Sequence, residues 1–281
     1  MRVSSPQALV TKSIKIMLIY AAVVAVSVWS VFPVYWMLKS AVSGGSVVNS
    51  FRSFFPRNIT GSFFLRLFSD YPFFRWLLNS AVVSGCSTIT AIFIGALAGY
   101  SLSRFQYRGK SVLGALLLFT QLLPHVILLL PIYILFDALG LINRLFSLIF
   151  INVFFLTPVC TWLLKGFFDS SPPEIEEAAL LDGCSRLRII ITITMRINLA
   201  GIFATSLFVF LDSWYEWLYA ATLIDQPEKW TVSASIYVFI GELGIDWQLM
   251  MAAGVLATVP TILIFAILQR SLMKGIRLGM Y

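Results

Sequence analysis

Six apolar segments divide this chain of 281 residues, each long enough for the roughly 20 residues that a helix needs to cross a hydrocarbon core. They lie near residues 14–38, 77–103, 112–136, 145–168, 199–224 and 249–273. Backbone amides and carbonyls find no water inside a bilayer, so such segments must satisfy their hydrogen bonds internally, as helices. The expected fold class is all-α: a polytopic membrane protein with six transmembrane helices. Composition agrees, since 59% of the residues are apolar and only 12% are charged, against about a quarter charged in a soluble domain. Arg2, Lys12 and Lys15 precede the first segment as they would a signal peptide. Its apolar run is too long for one and no small-residue cleavage site follows, so a retained anchor is expected.

Orientation follows from the basic residues. With the N-terminus in the cytoplasm, 13 of the 20 Lys and Arg residues fall on the inner side, among them Lys15, Arg104, Arg108, Lys110, Arg186, Arg188 and Arg270. The positive-inside rule then places both termini inside, although Arg52, Arg57, Arg66 and Arg75 dilute the bias. The chain reads as a cytoplasmic segment over 1–13 and one membrane domain over 14–281. Within that domain, outer loops cover 39–76 and 225–248, and a cytoplasmic insert covers 170–196. Topology also accounts for the net charge of +7. The basic residues sit at loop ends and are not interleaved with aromatics on one face, which excludes a nucleic-acid surface.

The insert is the least expected segment. From Glu177 to Arg196 it reads EAALLDGCSRLRIIITITMR, polar and helix-forming between two membrane-crossing stretches. Ser171-Pro172-Pro173-Glu174 has the pattern of a capping box, which predicts a helix starting near Pro172 and running through Glu176, Glu177, Ala178 and Ala179. Asp182-Gly183 predicts a break before a second helical stretch from Ser185. Two short helices meeting at a glycine make an angled knob. Ala178 and Ala179 allow close approach of another surface, and Glu177 and Asp182 offer carboxylates to a partner or to the helix ends. From the residues alone, a docking knob and a solvated charged loop both stay open.

The run Glu177-Ala178-Ala179-Leu180-Leu181-Asp182-Gly183 resembles the EAA loop of the inner-membrane permease subunits of ABC importers, and it precedes the last two spans as in that family. Other features are similar to the carbohydrate-uptake branch of MalG-like permeases. These are Asn79-Ser80 opening the second span, Pro124 and Pro131 in the third, Leu141-Ile142-Asn143 after it, and Trp214-Tyr215-Glu216-Trp217 in the fifth. The chain departs from the family at Met195-Arg196-Ile197-Asn198-Leu199-Ala200-Gly201, where prolines are usual, at Tyr215, where asparagine is common, and in the short tail Gly279-Met280-Tyr281.

The resemblance implies a division of labour. Glu177, Ala178, Ala179, Asp182 and Gly183 would couple the chain to an ATPase, and two nucleotide-binding subunits would carry the ATP and Mg. A homologous second permease subunit would complete the pathway, and an extracytoplasmic solute-binding protein would meet the outer loops. This chain would then hold no catalytic residue, cofactor or metal, and would sit in a bacterial or archaeal cytoplasmic membrane. Its solute would be a sugar or oligosaccharide, with a polyol or a glycerol phosphate as the alternative. A secondary transporter is a further reading, but six spans are few, no internal repeat is evident, and such proteins need no EAA-like knob.

Candidate pathway residues come from the fifth span. Asp212 and Glu216 are four apart, which predicts one shared helical face, and an acid at membrane depth is costly unless it faces protein or a wet cavity. Trp214, Tyr215, Trp217 and Tyr219 place aromatic surface and polar tips beside them, a combination that suits sugars. An interhelical polar clasp with an aromatic belt explains the same residues. Asn79, Gln121 and Asn152 are weaker candidates, since amides also bridge helices. Gly95 and Gly99 read as a close-packing pair.

Enzyme signatures are missing. Gly109-Lys110-Ser111 ends like a phosphate loop, but Arg104 stands where the first glycine must be, so a basic turn is expected. His125 is the only histidine, which excludes a two-histidine zinc helix and leaves little for a serine–histidine site. Beside Pro124 it either lines the pathway or binds carbonyls freed at a kink. Cys86, Cys160 and Cys184 are odd in number and lie in apolar segments or the insert, so they read as packing residues. The 39–76 loop is rich in phenylalanine and predicts an interfacial helix. The 225–247 loop carries Trp230 and four acids. Sequence alone lets both loops either meet a partner or cap the outer mouth.

Overall fold

The computed structural model describes residues 6–44, 53–56, 58–241 and 244–278, with side chains placed from Lys15 to Gln269. The tail residues Gly279-Met280-Tyr281 lie outside the described residues. The fold is all-α but for a two-residue hairpin, Ile240–Gly241 with Gly244–Ile245. Among the described residues, four helices are long and apolar enough to cross a membrane on their own, at Lys15–Val42, Phe73–Arg104, Leu145–Asp169 and Trp247–Gln269. Two bent pairs raise the number to six if each pair is one span.

The chain forms two compact units, one up to Tyr71 with Phe239–Leu256 and one of Pro72–Val238 with the residues from Ala257 onward. In the first, the Pro6–Val42 helix ends at a bridge between Ser43 and Ile59, and Gln248 donates to the Ser43 carbonyl at 3.2 Å. A short amphipathic helix, Ser62–Ser69, occupies the loop where an interfacial helix is expected. At its end Asp70 accepts from the Ser69 hydroxyl and from Arg66, and these donors hold its carboxyl below the ordinary value.

The second unit is organised by glycine. The Phe73–Arg104 and Leu145–Asp169 helices pack along their lengths, and a Cβ on Gly95 would lie 2.6 Å from Cys160 Sγ. One on Gly99 would lie 2.8 Å from the Thr161 carbonyl oxygen. In lipid, helices gain by close contact more than by leaving water, so small residues mark the seam. Ala91, Ala96, Tyr100, Leu164, Phe168 and Val209 fill the core around it.

The third predicted span is two helices, Lys110–Thr120 and His125–Ala138, bent by 92°. Pro124 causes this, because proline has no amide to donate and drives the preceding residue away from helical geometry. The fifth is also broken. The Leu199–Tyr215 helix stops at Glu216, whose φ of −62° and ψ of 118° are extended, and the chain restarts as Leu218–Leu223. At about 1.5 Å per residue, Leu199–Tyr215 falls short of a roughly 30 Å core.

A network of side-chain and backbone bonds straps the 225–239 segment to the helix ends. Asn143, in the left-handed region at φ 62°, accepts from the Asp225 and Gln226 amides at 2.7 and 3.1 Å. The Trp76 indole donates to Pro227, and the Ser80 hydroxyl accepts from the Val232 amide.

Candidate functional site

The knob is built as two helices about a glycine. The first is Glu174–Leu181, two residues later than the capping box predicts, and its N-terminal flank is Pro173. Ser171 does not cap it; that hydroxyl lies 2.9 Å from Asn198 Oδ1 and 3.3 Å from the Phe167 carbonyl. The start is served by charge, because Glu174, Glu176 and Glu177 fill the first turn, where the helix dipole favours acids. Gly183 ends it at φ 82°, with its amide on the Leu180 carbonyl and the Cys184 amide on the Ala179 carbonyl. This paired closure needs a left-handed residue, which glycine supplies without strain. Ser185 then caps the Arg186–Ile189 turn through the Arg188 amide.

The two faces of the first helix differ. Glu176 and Ala179 are buried, while Glu177, Ala178 and Asp182 are exposed and Leu181 is 90% exposed. Glu176 accepts from the Tyr100 hydroxyl at 2.8 Å and from Arg104 at 3.0 Å, so the knob is tied to the end of the Phe73–Arg104 helix. Sequence reasoning missed Glu176 as this anchor. The available signal was its position three residues before Ala179, on the face that packs.

From the knob the chain runs through a π-helical turn, Ile190–Thr194, to a bend of 87° before Leu199. Proline is not needed for this bend. Asn198 takes φ −97° and ψ 25°, and its amide group donates to the Thr194 carbonyl at 2.9 Å. Gly201 follows, and a Cβ there would fall 2.3 Å from the Phe167 ring.

The break at Glu216 opens a cavity of about 550 Å³. Asp212, Tyr215 and Glu216 line it with His125, Asn152 and several aromatic rings. Asp212 and Glu216 thus meet in one cavity, but by a different route from the shared helical face expected from their spacing, because the helix ends between them. The Glu216 carboxylate accepts from the Tyr219 amide at 2.7 Å and the Ala220 amide at 3.1 Å, capping the restarted helix. His125 stacks on Phe155 at 4.2 Å between centroids, and the Tyr219 hydroxyl donates to the His125 carbonyl at 3.0 Å. Asn152 is buried, and its Nδ2 has no partner among the described residues.

The other candidates lie elsewhere. Trp214 is buried and stacks on Phe210 at 5.5 Å. Gln121 donates to the Phe155 carbonyl at 2.9 Å, closing the bend before Pro124. Asn79 donates to the Glu228 and Trp230 carbonyls at 3.0 and 2.9 Å, as part of the strap. The apolar lining, Phe155, Phe208 and Leu211, carries no sequence signal that separates it from ordinary core.

A helical membrane protein with a cavity at a helix break that holds two carboxylates in a largely apolar wall, and with a projecting two-helix knob, has the build of a transporter permease subunit. The chain belongs to the family described as binding-protein-dependent transport system inner membrane component, whose model matches residues 91–278. It is 30% identical over 249 residues to the sulfoquinovosyl glycerol transport system permease protein SmoH of Agrobacterium fabrum, covering 88% of this chain and 87% of that protein. It is 28% identical over 273 residues to the trehalose/maltose transport system permease protein MalG of Thermococcus litoralis, covering 94% and 96%. Its fold is shared with a chain in the crystal structure of a bacterial ABC transporter that imports the acidic polysaccharide alginate, at a TM-score of 0.78 and 21% identity, covering 96% of this chain and 99% of that one. The protein is therefore a multi-pass inner-membrane permease subunit of an ABC importer.

Proposed function

We propose that this subunit forms half of the translocation pathway for a carbohydrate and is driven by ATP hydrolysis in separate nucleotide-binding subunits. The observation that carries the reading is the cavity at the Glu216 break, where two carboxylates and aromatic rings converge within the membrane domain. Sugars need this mixture, since their rings offer apolar faces and their hydroxyls need donors and acceptors. The trehalose/maltose name of MalG points the same way.

In this reading a homologous second permease closes the other side of the pathway, and an extracytoplasmic solute-binding protein delivers to the 39–76 and 225–248 loops. Both termini and the knob face the cytoplasm. Glu177, Ala178, Asp182 and Gly183 enter a cleft on the ATPase, with Leu181 as an exposed apolar contact, while Ala179, expected among them from the sequence, is buried on the opposite face. Closure of the ATPase pair moves the knob, Arg104 and Glu176 carry that movement into the Phe73–Arg104 helix, and the cavity switches between outward and inward access.

The test is to purify the assembled importer with its binding protein and identify the bound solute by mass spectrometry. A carbohydrate is expected. A peptide, an amino acid or a metal chelate contradicts the proposal.

A further inference from the structure

We infer that the Glu216 cavity is selective by charge: it takes an uncharged polyhydroxylated solute and repels anions, with Asp212 as the specificity-determining residue. The inference rests on the reading of this cavity as the pathway. It narrows the solute class, and it separates this chain from an alginate-type acidic cargo and from a glycerol phosphate.

Three observations combine. First, the titratable lining consists of Asp212, Glu216, His125 and the two phenols Tyr215 and Tyr219, with no Lys or Arg. An anion entering a membrane-embedded cavity must replace its hydration with positive partners, and the lining supplies two carboxylates instead. Second, the backbone donors at the helix break, which elsewhere receive anionic groups, are already occupied. The Tyr219 and Ala220 amides lie 2.7 and 3.1 Å from the chain's own Glu216 carboxylate. Third, the polar capacity that remains suits hydroxyl groups. Asp212 lines the cavity, and no donor to its carboxylate is found among the described residues. A hydroxyl can donate to that carboxylate, while the exposed His125 ring, backed by Phe155, offers a flat face to a sugar ring.

The test needs no knowledge of the solute. In the assembled transporter, with Cys86→Ala and Cys184→Ser removing the accessible thiols and Cys160 left buried, Tyr215→Cys places a thiol in the cavity wall. Its modification is timed with 2-(trimethylammonium)ethyl, 2-hydroxyethyl and 2-sulfonatoethyl methanethiosulfonate, each normalised to its rate on a free thiol. The expected result is that the cationic and neutral reagents react and the sulfonate lags the cation by about tenfold, the size of effect that one charge produces across such a cavity. Adding Asp212→Asn should remove most of that lag. Leu218→Cys, also in the lining, repeats the measurement if loss of the Tyr215 ring disturbs folding. Equal rates for sulfonate and cation overturn the charge selection, and a lag that survives Asp212→Asn overturns the role of Asp212. If both cysteines stay unmodified by all three reagents, the cavity is not a wet pathway and the reading beneath fails as well.

Discussion

Arg104 and Glu176 form a buried pair in which guanidinium Nη2 and Nε lie 3.0 and 3.1 Å from one carboxylate oxygen. The pair joins the end of a membrane-packed helix to the hidden face of the knob, and the Tyr100 hydroxyl takes the second oxygen at 2.8 Å. Side-chain exposures of 13% and 7% leave little water to screen it. Removing one partner strands a charge and costs about 3–5 kcal/mol. Arg104→Met alone should therefore lower the melting temperature of the purified transporter and slow uptake. Arg104→Met combined with Glu176→Met should recover most of the melting temperature and little of the uptake, because packing returns but the rigid tie does not. Full recovery of uptake in the double variant would show that the tie is not used for transmission.

Close approach at the Gly95 and Gly99 seam predicts a size limit. Gly95→Ala drives a methyl to 2.6 Å from Cys160 Sγ, and overpacking of this kind costs about 1–3 kcal/mol. Gly95→Ala with Cys160→Ala should regain part of the loss, since the sulfur leaves but the residue-160 Cβ at 3.0 Å and the Thr161 amide at 3.2 Å stay. Gly99→Val faces backbone at 2.8 Å and has no such rescue. Thermal melts of the three proteins check the ordering.

Asn143 and Asn79 hold the 225–239 strap. Asn143→Ala leaves the Asp225 and Gln226 amides without their acceptor and puts alanine at φ 62°, so a loss of about 1–3 kcal/mol is expected. Limited proteolysis should cut this segment faster in Asn143→Ala and in Asn79→Ala. Neither variant should alter the charge preference of reagents entering the Glu216 cavity. A changed preference in Asn79→Ala would return Asn79 to the pathway.

The helical class was legible because six apolar stretches leave a chain few alternatives, and Gly183 was legible because Asp-Gly after a helical run is a stop with a known geometry. The breaks were harder to read. Pro124 signals its own bend, but nothing in Trp214-Tyr215-Glu216-Trp217 is a helix breaker. The helix ends where the Glu216 carboxylate captures the Tyr219 and Ala220 amides, a local cap by a residue type that is not a usual start signal. The capping box failed for a tertiary reason: Asn198, 27 residues away in sequence, holds the serine that should have capped the knob. Asn79 shows the opposite outcome. It is polar in a greasy segment, yet it serves a loop and not a solute, because the Glu228 and Trp230 carbonyls come within its reach.

In the proposed function the Glu174–Gly183 knob couples the membrane domain to an ATPase. Glu177 and Asp182 are exposed, so Glu177→Lys with Asp182→Lys should lower the melting temperature of the isolated permease only slightly, by the loss of one first-turn acid worth about 0.3–1 kcal/mol. Copurification of the nucleotide-binding subunits and uptake of the solute held by the binding protein are then measured together. Coupling through the knob requires that the ATPase subunits are lost and uptake falls to background. Retention of both in the doubly reversed protein would contradict it.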